Sequence, residues 1–346
     1  MSARPAASTA PPAGAEPILV GGPFFEDLRV GDVVADAPAL TLTEGHAALH
    51  QAIVGDRLRL ALDATLALAV TGAQAPLAHP ALVCDVAIGQ STLITRRVIA
   101  NLFYRGLLLR RAPVIGDTLR TTTEVVALRQ NSARADRAAT GLAVLRVRTV
   151  DQQDRAVLDF WRCAMLPLRD PDGRTERADD LDAIPAELDA GALRAATAGW
   201  RLDAFRDALP GAHFADLTEP TTWSVEGGDV VSAAPELARL SLNVATAHHD
   251  ATASGRRLVY GGHTIGIAAS QLTRVLPNLV TIVAWHGCDH LGPVLEGDTL
   301  RSEVELERCE ALPDGGGLVH LRSRVRAERA SGSEAVLDWR LVGVMA

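Results

Sequence analysis

The sequence predicts an α+β fold that contains two copies of one domain. Two similar blocks mark the copies, PVIGDTLR at Pro113–Arg120 and PVLEGDTLR at Pro293–Arg301. Similar blocks that recur in the same order along a chain indicate a duplicated unit. Each copy also contains one apolar run of helical length and several strand-like segments. One buried helix packed against an antiparallel sheet in each copy is an α+β arrangement.

The strand predictions rest on alternation. Apolar and polar residues alternate in LAVLRVRTV at Leu142–Val150 and in LVHLRSRVR at Leu318–Arg326. A period of two is typical of a strand with one buried face. Each copy then closes with AVLD followed by aromatic residues, from Ala156 and from Ala335. The arginine pairs inside the alternating runs are expected to lie on the polar faces of their strands.

Three segments are predicted to be helical. Thr43–Val54 and the apolar run Pro80–Gln90 belong to the first copy, and Gly262–Leu276 belongs to the second. In the last segment, four apolar residues recur at helical spacing and form one apolar face; they are Ile265, Ala268, Ala269 and Leu272.

The predicted domain organisation has four parts. Residues 1–19 are expected to form a disordered tail, residues 20–168 the first domain, residues 169–212 a linker, and residues 213–346 the second domain. Arg169–Asp182 is charged and rich in turn formers, which is typical of a surface linker. A short helix is predicted near Pro185–Thr197, with Pro185 at the first helical position.

Composition excludes several functional classes. The 346 residues carry a net charge of -8, which disfavours a nucleic-acid partner. The four cysteines are scattered and include no CxxC pair, as expected for reduced thiols. The Ala- and Pro-rich start lacks the apolar core of a signal peptide, and no apolar run is long enough to span a membrane. We therefore expect a cytoplasmic protein with no membrane partner.

The stretch with the clearest chemical potential is LSLNVATAHHD at Leu240–Asp250, which places Asn243 five residues before His248. A Gly-Gly pair, Gly261 and Gly262, then opens the helical run of the second copy. Histidine can donate and accept protons near neutral pH. A histidine beside an apolar run is, however, most often a structural residue of the core, and paired glycines most often form a turn.

These residues resemble the MaoC-like, double hot-dog acyl-CoA hydratases, and in particular the mesaconyl-CoA hydratase (β-methylmalyl-CoA dehydratase) group. The resemblance is carried by PFFEDLRVGD at Pro23–Asp32, by TEGHAALHQAIVGDR at Thr43–Arg57, and by NVATAH followed by GRRLVYGGH in the second copy. It covers residues 20–168 and 213–346. It implies a double hot-dog fold, in which a long helix is wrapped by a curved antiparallel sheet in each half.

The sequence departs from the commoner hydratase motif, D-x-N-P-x-H, in both halves. In the second half Asn243 stands at the Asp position and His248 at the His position. The first half keeps Gly55 and Asp56, but Ala61 stands where the histidine would be. The first half is therefore expected to be catalytically inactive and to have a structural role.

The resemblance implies reversible addition of water to an enoyl-CoA. His248 would act as the single general acid/base, since the ordinary pKa of histidine lies near the working pH. Asn243 cannot be a base, but its amide can orient the water or the imidazole. A backbone N–H at Gly262 would stabilise the thioester oxygen, because a helix N-terminus favours negative charge.

Further residues are candidates for substrate binding: Tyr260, Gly261, His263, Arg256 and Arg257. The two arginines could bind a carboxylate or the CoA phosphates, or could form a solvated loop. His263 could line the mouth of the site or only occupy the first helical turn. His213, Asp216 and Asp56 are weaker candidates.

One predicted strand contains three potential metal ligands. Simple alternation would place His286, Cys288 and His290 on one face, as three potential ligands. The resemblance implies no metal, and lining a pocket or packing in the core is the preferred interpretation. No cofactor is expected.

The leading functional hypothesis is a hydro-lyase that acts on an acyl-CoA thioester such as mesaconyl-CoA, in a chain that could form a homodimer. A thioesterase on the same fold is one alternative, since fold does not determine function. The lack of a carboxylate near His248 argues against it. A non-catalytic acyl-CoA-binding protein is the other alternative.

Overall fold

The computed structural model describes residues 18–132, 137–252, 257–313 and 315–346. The predicted disordered tail lies almost wholly outside these ranges. Within them, twelve strands form one antiparallel sheet and eight α-helices flank it. The α+β class predicted from the alternating runs is confirmed.

The elements of the first half follow the order short strands, helices, long strands. The short strands are β1 (Val33–Val34) and β2 (Leu40–Thr41), and the helices are α1 (Glu44–Val54), α2 (Arg59–Leu62), α3 (Ala64–Thr71) and α4 (Pro80–Gln90). The long strands are β3 (Ala100–Leu109), β4 (Thr118–Gln130), β5 (Thr140–Val150) and β6 (Ala156–Pro167).

The second half repeats this order with fewer helices. It contains β7 (Thr221–Ser224), β8 (Asp229–Val230), α7 (Ala234–Leu240), α8 (Gly261–Val275), β9 (Leu279–His290), β10 (Thr299–Ala311), β11 (Gly317–Arg329) and β12 (Gly332–Met345). Two helices lie between the halves, α5 (Ala190–Ala195) and α6 (Leu202–Ala208). A 3-10 turn, Thr246–His248, follows α7.

The sheet shows the duplication directly. Its strand order is β1-β4-β5-β6-β3-β9-β12-β11-β10-β7, so the two sets of four long strands are arranged as mirror images about the β3–β9 pair. Phe103 pairs with Asp289, and Leu108 pairs with Ala284, across this junction. The halves therefore share one continuous sheet and are not separate bodies.

Equivalent glutamines in the two central helices make the same contact. Gln90 of α4 donates from Nε2 to the carbonyl of Leu119, at 3.1 Å. Gln271 of α8 donates from Nε2 to the carbonyl of Leu300, at 2.9 Å. The first bond joins α4 to β4, and the second joins α8 to β10. The sequence repeat is therefore matched by a repeated contact in the structure.

The central helices are more deeply buried than one apolar face requires. Every residue from Ala81 to Gln90 in α4 and from Gly262 to Thr273 in α8 is buried, and the two helices contact each other. A helix buried on all sides lies between other elements rather than on the surface. The contact between α4 and α8 is therefore enclosed by the surrounding elements.

The helix predicted near Pro185–Thr197 was wrong at its start. Helix α5 begins only at Ala190, because Asp189 caps it and accepts hydrogen bonds from the N–H groups of Gly191 and Ala192. Pro185 precedes the helix in a loop, and its carbonyl lies close to where a Cβ on Gly106 would project.

In the described ranges, no helix combines the length and the apolar character that crossing a bilayer would need.

Candidate functional site

His248 lies in the 3-10 turn after α7 and is buried, with 8% of its surface exposed. Its Nδ1 is 2.9 Å from the carbonyl oxygen of Leu258. A carbonyl can only accept, so Nδ1 carries the proton and Nε2 keeps its lone pair. Burial lowers the pKa of His248 to about 4, although the bond to Leu258 opposes this shift. At neutral pH the ring is therefore an uncharged proton acceptor.

Tyr260 connects His248 to the start of α8. Its ring centroid is 5.7 Å from that of His248, and its hydroxyl donates to the backbone carbonyl of Asp85, at 3.3 Å. Tyr260 is also the N-cap residue of α8 but makes no side-chain cap bond. The imidazole of His248 thus lies beside the N-cap residue of a long helix.

Asn243 is buried, and its side-chain oxygen accepts the N–H of Ala245, at 2.9 Å. Its backbone carbonyl contacts Nε2 of His249, at 2.6 Å. Asn243 and His249 line an open cleft of about 470 Å³ whose lining does not include His248. The amide of Asn243 thus shapes the loop that carries His248, while its NH2 group remains as a donor.

Gly261 and Gly262 have steric reasons to be glycine. A Cβ on Gly262 would overlap Oδ1 of Asp85 from α4, and one on Gly261 would lie 2.7 Å from the ring of His290. The side chains of Asp85 and His290 therefore occupy the space next to the Gly-Gly backbone. Asp85 also places a carboxylate beside the α8 N-terminus, which sequence reasoning missed because Asp85 lies in the other half.

His263 lies in the first turn of α8 and is fully buried. Neither ring nitrogen has a hydrogen-bond partner among the described residues. Burial lowers its pKa to about 4, and the nearby His50 adds to the effect. His263 is thus an uncharged core residue behind the site, and not part of an open mouth.

The two candidate arginines differ in what the structure shows. Arg256 lies outside the described residues. Arg257 is partly exposed, and its Nη1 is 2.6 Å from a carboxylate oxygen of Glu296. Binding of a CoA phosphate by Arg257 would have to compete with this ion pair.

The placement of His286, Cys288 and His290 on one face was wrong. Strand β9 has a register shift against β12 between Trp285 and Gly287, which leaves an extra residue, His286, at that point. A bulge of this kind interrupts the alternation of side chains. Cys288 packs in the core, whereas His286 lines an outer groove and contacts His320, at 3.1 Å. No cluster with metal-ligand geometry occurs among the residues that the structure describes.

The weaker candidates divide into structural residues and one unexpected pair. His213 and Asp216 lie at a 3-10 turn, where the backbone N–H of His213 donates to Oδ2 of Asp216, at 2.9 Å, and Nε2 of His213 is 2.9 Å from the carbonyl oxygen of Leu209. Asp56 instead lies 3.0 Å from His79, which stands at the N-cap of α4. The only sequence signal for this pair is the position of His79, just before Pro80. Tyr260 holds the equivalent position at the start of α8 in the second half.

Comparison with known proteins agrees with this architecture. No protein-family model matches the chain. The chain is 34% identical over 324 residues to a mesaconyl-CoA hydratase from Cereibacter sphaeroides, an alignment that covers 87% of this chain and 88% of the relative. It is 30% identical over 322 residues to a β-methylmalyl-CoA dehydratase from Chloroflexus aurantiacus, covering 89% and 88%.

Two solved structures show the same fold. A conserved hypothetical protein from Mycobacterium tuberculosis, described as having a double hotdog fold, is 55% identical, with a TM-score of 0.89 over 95% of this chain and 100% of that chain. A protein of Chloroflexus aurantiacus described as a MaoC domain dehydratase is 26% identical, with a TM-score of 0.82 over 94% and 97%. By sequence and by fold, the chain belongs to the double hot-dog, MaoC-like family that includes mesaconyl-CoA hydratase and β-methylmalyl-CoA dehydratase.

Proposed function

We propose that the protein is a hydro-lyase that reversibly adds water to the double bond of an enoyl-CoA. The substrate would be a branched short-chain acyl-CoA such as mesaconyl-CoA, with β-methylmalyl-CoA as the hydrated form. The names of the two relatives support this reaction class. The observation that carries the proposal is the carbonyl of Leu258, which holds the His248 ring with its proton on Nδ1 and its lone pair on Nε2.

His248 would take a proton from water through Nε2 and return it to the α-carbon. Its neutral state at pH 7 supports this role, because a protonated imidazole could not accept. Asn243 would donate from its NH2 group to orient the attacking water.

A backbone N–H of Gly262 would stabilise the thioester oxygen as negative charge develops on it. Gly262 lies in the first turn of α8, where N–H groups and the helix dipole favour an anion. Asp85 lies against the same backbone, so the substrate oxygen would have to share this helix end with a carboxylate.

The test uses purified full-length protein with mesaconyl-CoA and, separately, crotonyl-CoA. Loss of the ultraviolet absorbance of the conjugated thioester measures hydration, and a free-thiol assay of the same tubes measures hydrolysis. His248→Ala is expected to lower kcat at least about 100-fold, the usual scale for losing a general acid/base. His286→Ala is the matched control, because that histidine lies in an outer groove.

The outcomes separate the candidates. Absorbance loss without thiol release, and its collapse in His248→Ala alone, would support the proposal. An unchanged rate in His248→Ala would remove His248 from the mechanism, and inactivity of the wild type on both substrates would refute the proposed function.

A thioesterase is the second candidate, because Asp85 places a carboxylate beside Gly262 at the start of α8. Release of free thiol at the same rate as the loss of absorbance would favour a thioesterase.

A cytoplasmic location is part of the proposal. The cysteines support it, since Cys84, Cys163, Cys288 and Cys309 are all free thiols.

A further inference from the structure

Arg162 is a buried arginine in β6, with 3% of its surface exposed. Both of its hydrogen bonds use Nη2, which donates to Oγ1 of Thr95, at 2.5 Å, and to the carbonyl of Ser91, at 3.3 Å. Nε has no partner among the described residues. No carboxylate pairs with the guanidinium in the described part of the chain, so Arg162 is a buried cation without a counter-ion.

A buried charge of this kind is costly, because water is removed from it and no opposite charge takes the place of the water. Burial lowers the pKa of Arg162, and the groups that oppose this shift are Tyr104, Tyr260 and Cys163. Burial raises the pKa of each of these three groups, so none of them is an anion at neutral pH. An anion that enters from outside would supply the missing charge.

The second half shows that this position of the fold does not require an arginine. Arg162 stands opposite Leu145 in the β5–β6 pair, and Leu341 stands opposite Leu321 in the β11–β12 pair. Each of the two residues follows the repeated AVLD block at the same distance along the chain. Leu341 is fully buried in the apolar core. Because the same site is filled by leucine in the other copy, packing alone does not explain the charge of Arg162.

The turn that Arg162 contacts also holds the loop that carries His248. This turn is the 3-10 turn Ser91–Thr95, which follows α4. Oγ1 of Thr92 in the turn accepts the N–H of Val244, at 2.9 Å, and Val244 lies in the same loop as His248. The guanidinium and the imidazole are therefore attached to one common piece of backbone.

The electrostatic effects agree with this closeness. Burial is the main cause of the lowered pKa of His248, and the charge of Arg162 lowers it further. Burial also raises the pKa of Tyr260, and the charge of Arg162 opposes that rise. The Tyr260 ring lies 5.7 Å from the His248 ring. The charge of Arg162 therefore acts where the proposed proton transfer would occur.

An open cleft reaches the same turn. The cleft of about 470 Å³ that Asn243 lines has Leu93 and Val244 in its wall, and Leu93 is the middle residue of the turn. The turn thus contacts both the guanidinium and the cleft, which gives an acyl group a route toward Arg162.

We propose that Arg162 binds a free carboxylate of the acyl group and thereby selects acyl-CoA thioesters that carry a carboxylate on the β-carbon. This inference rests on the proposed function and deepens it, because it names the residue that recognises a dicarboxylic acyl group. Mesaconyl-CoA has a carboxylate on the β-carbon, where crotonyl-CoA has a methyl group. A planar guanidinium suits a carboxylate, since it can donate two parallel N–H bonds. A methyl group would leave the buried charge unpaired, and an unpaired polar group in a site rejects the wrong substrate.

The experiment compares kcat/KM for mesaconyl-CoA and crotonyl-CoA in full-length wild type, Arg162→Leu and Arg162→Gln. Leucine copies Leu341 of the second half, and glutamine removes the charge while it keeps an N–H donor for the turn. Arg148→Leu is the matched control, because Arg148 is exposed on β5 and pairs with Glu124, at 3.0 Å.

The wild type should prefer mesaconyl-CoA. Arg162→Leu and Arg162→Gln should each lower kcat/KM for mesaconyl-CoA at least about 30-fold, the usual scale for removing one partner of a buried charge pair. Neither variant should lower kcat/KM for crotonyl-CoA, and Arg148→Leu should change neither value. If Arg162 only held the turn, both substrates would lose kcat/KM together and the melting temperature would fall.

A binding measurement tests the same recognition without the reaction. Succinyl-CoA and butyryl-CoA have no double bond to hydrate, and they differ by a carboxylate in place of a methyl group on the β-carbon. Calorimetry should show tighter binding of succinyl-CoA to the wild type, and Arg162→Leu should abolish the difference. If Arg162→Leu does not fold, Arg162→Gln decides the result.

The inference is overturned if the wild type binds the two saturated thioesters equally, or if the folded variants keep the wild-type preference. Equal hydration of mesaconyl-CoA and crotonyl-CoA by the wild type would overturn the inference and leave the proposed function standing. Inactivity of the wild type on both would instead overturn the proposed function, and the binding comparison would still test Arg162.

Discussion

Acidification should destabilise the protein through its buried histidines, and His263 gives the clearest case. Its ring is fully buried, and neither nitrogen has a partner among the described residues. Burial holds its pKa at about 4, against 6.5 for an ordinary histidine. The unfolded chain therefore binds the proton first as the pH falls. The stabilising contribution is complete above about pH 7 and is lost between pH 6.5 and 4.

The size of the effect follows from the gap between the two pKa values. At about 1.4 kcal/mol per pKa unit, a gap of about 2.5 units corresponds to roughly 3 kcal/mol of unfolding free energy. The total stability of a folded domain is only about 5–15 kcal/mol, so this loss is large. His263→Leu removes the titrating group and the buried unpaired nitrogens, which themselves cost about 1–3 kcal/mol.

Urea unfolding at several pH values between 7 and 4 provides the measurement. We expect His263→Leu to be at least as stable as the wild type at pH 7, and to lose up to roughly 3 kcal/mol less than the wild type on going to pH 4. Ile267→Val on the same helix is the control, because it changes core packing and binds no proton. It should lower stability equally at every pH.

The reasoning would be refuted if His263→Leu lost as much stability on acidification as the wild type. That result would mean that the His263 ring is protonated without cost in the folded protein, and hence that it is solvated or paired. A loss of the same size at every pH would instead show that the ring contributes packing alone.

Three further changes test other features of the fold. Thr43→Ala removes the side-chain cap of α1 and should lower the unfolding free energy by about 1 kcal/mol, measured by urea titration. Gly141→Ala places a Cβ into the ring of Phe25 and should cost about 1–3 kcal/mol by the same measurement; an unchanged midpoint would contradict the packing. Asp338→Asn breaks a two-bond contact with Arg322 on the outer sheet face and should cost at most about 1 kcal/mol, less in high salt.

Much of the fold could be predicted because it depends on local periodicity and on apolar runs of helical length. The run Pro80–Gln90 matches α4 residue for residue, and Thr43–Val54 matches α1 with its cap. The duplication was visible because the same turn sequence, GDTL, occurs at the start of β4 in the first half and at the start of β10 in the second half. Arg146 and Arg322 lie in ion pairs on strand faces, as the alternation predicted.

The errors arose where one neighbour on another element decides the outcome. Alternation in β9 failed at His286 because pairing with β12 requires an extra residue there. The short helix of the linker begins at Ala190 rather than Pro185, because the side-chain cap of Asp189 outweighed the preference of proline for a first turn. Neither effect has a periodic signal.

The sequence by itself determined the fold class, the duplication and the family, since these follow from patterns that repeat along the chain and from motifs of fixed spacing. It also predicted a candidate site at His248, Asn243 and the start of α8, which stays a prediction. Only the tertiary structure decided which charged groups meet there. Asp85 reaches Gly262 from the other half, and His79 meets Asp56 across 23 residues of chain. Such contacts depend on how α4 and α8 pack against each other, and sequence spacing carries no record of that packing.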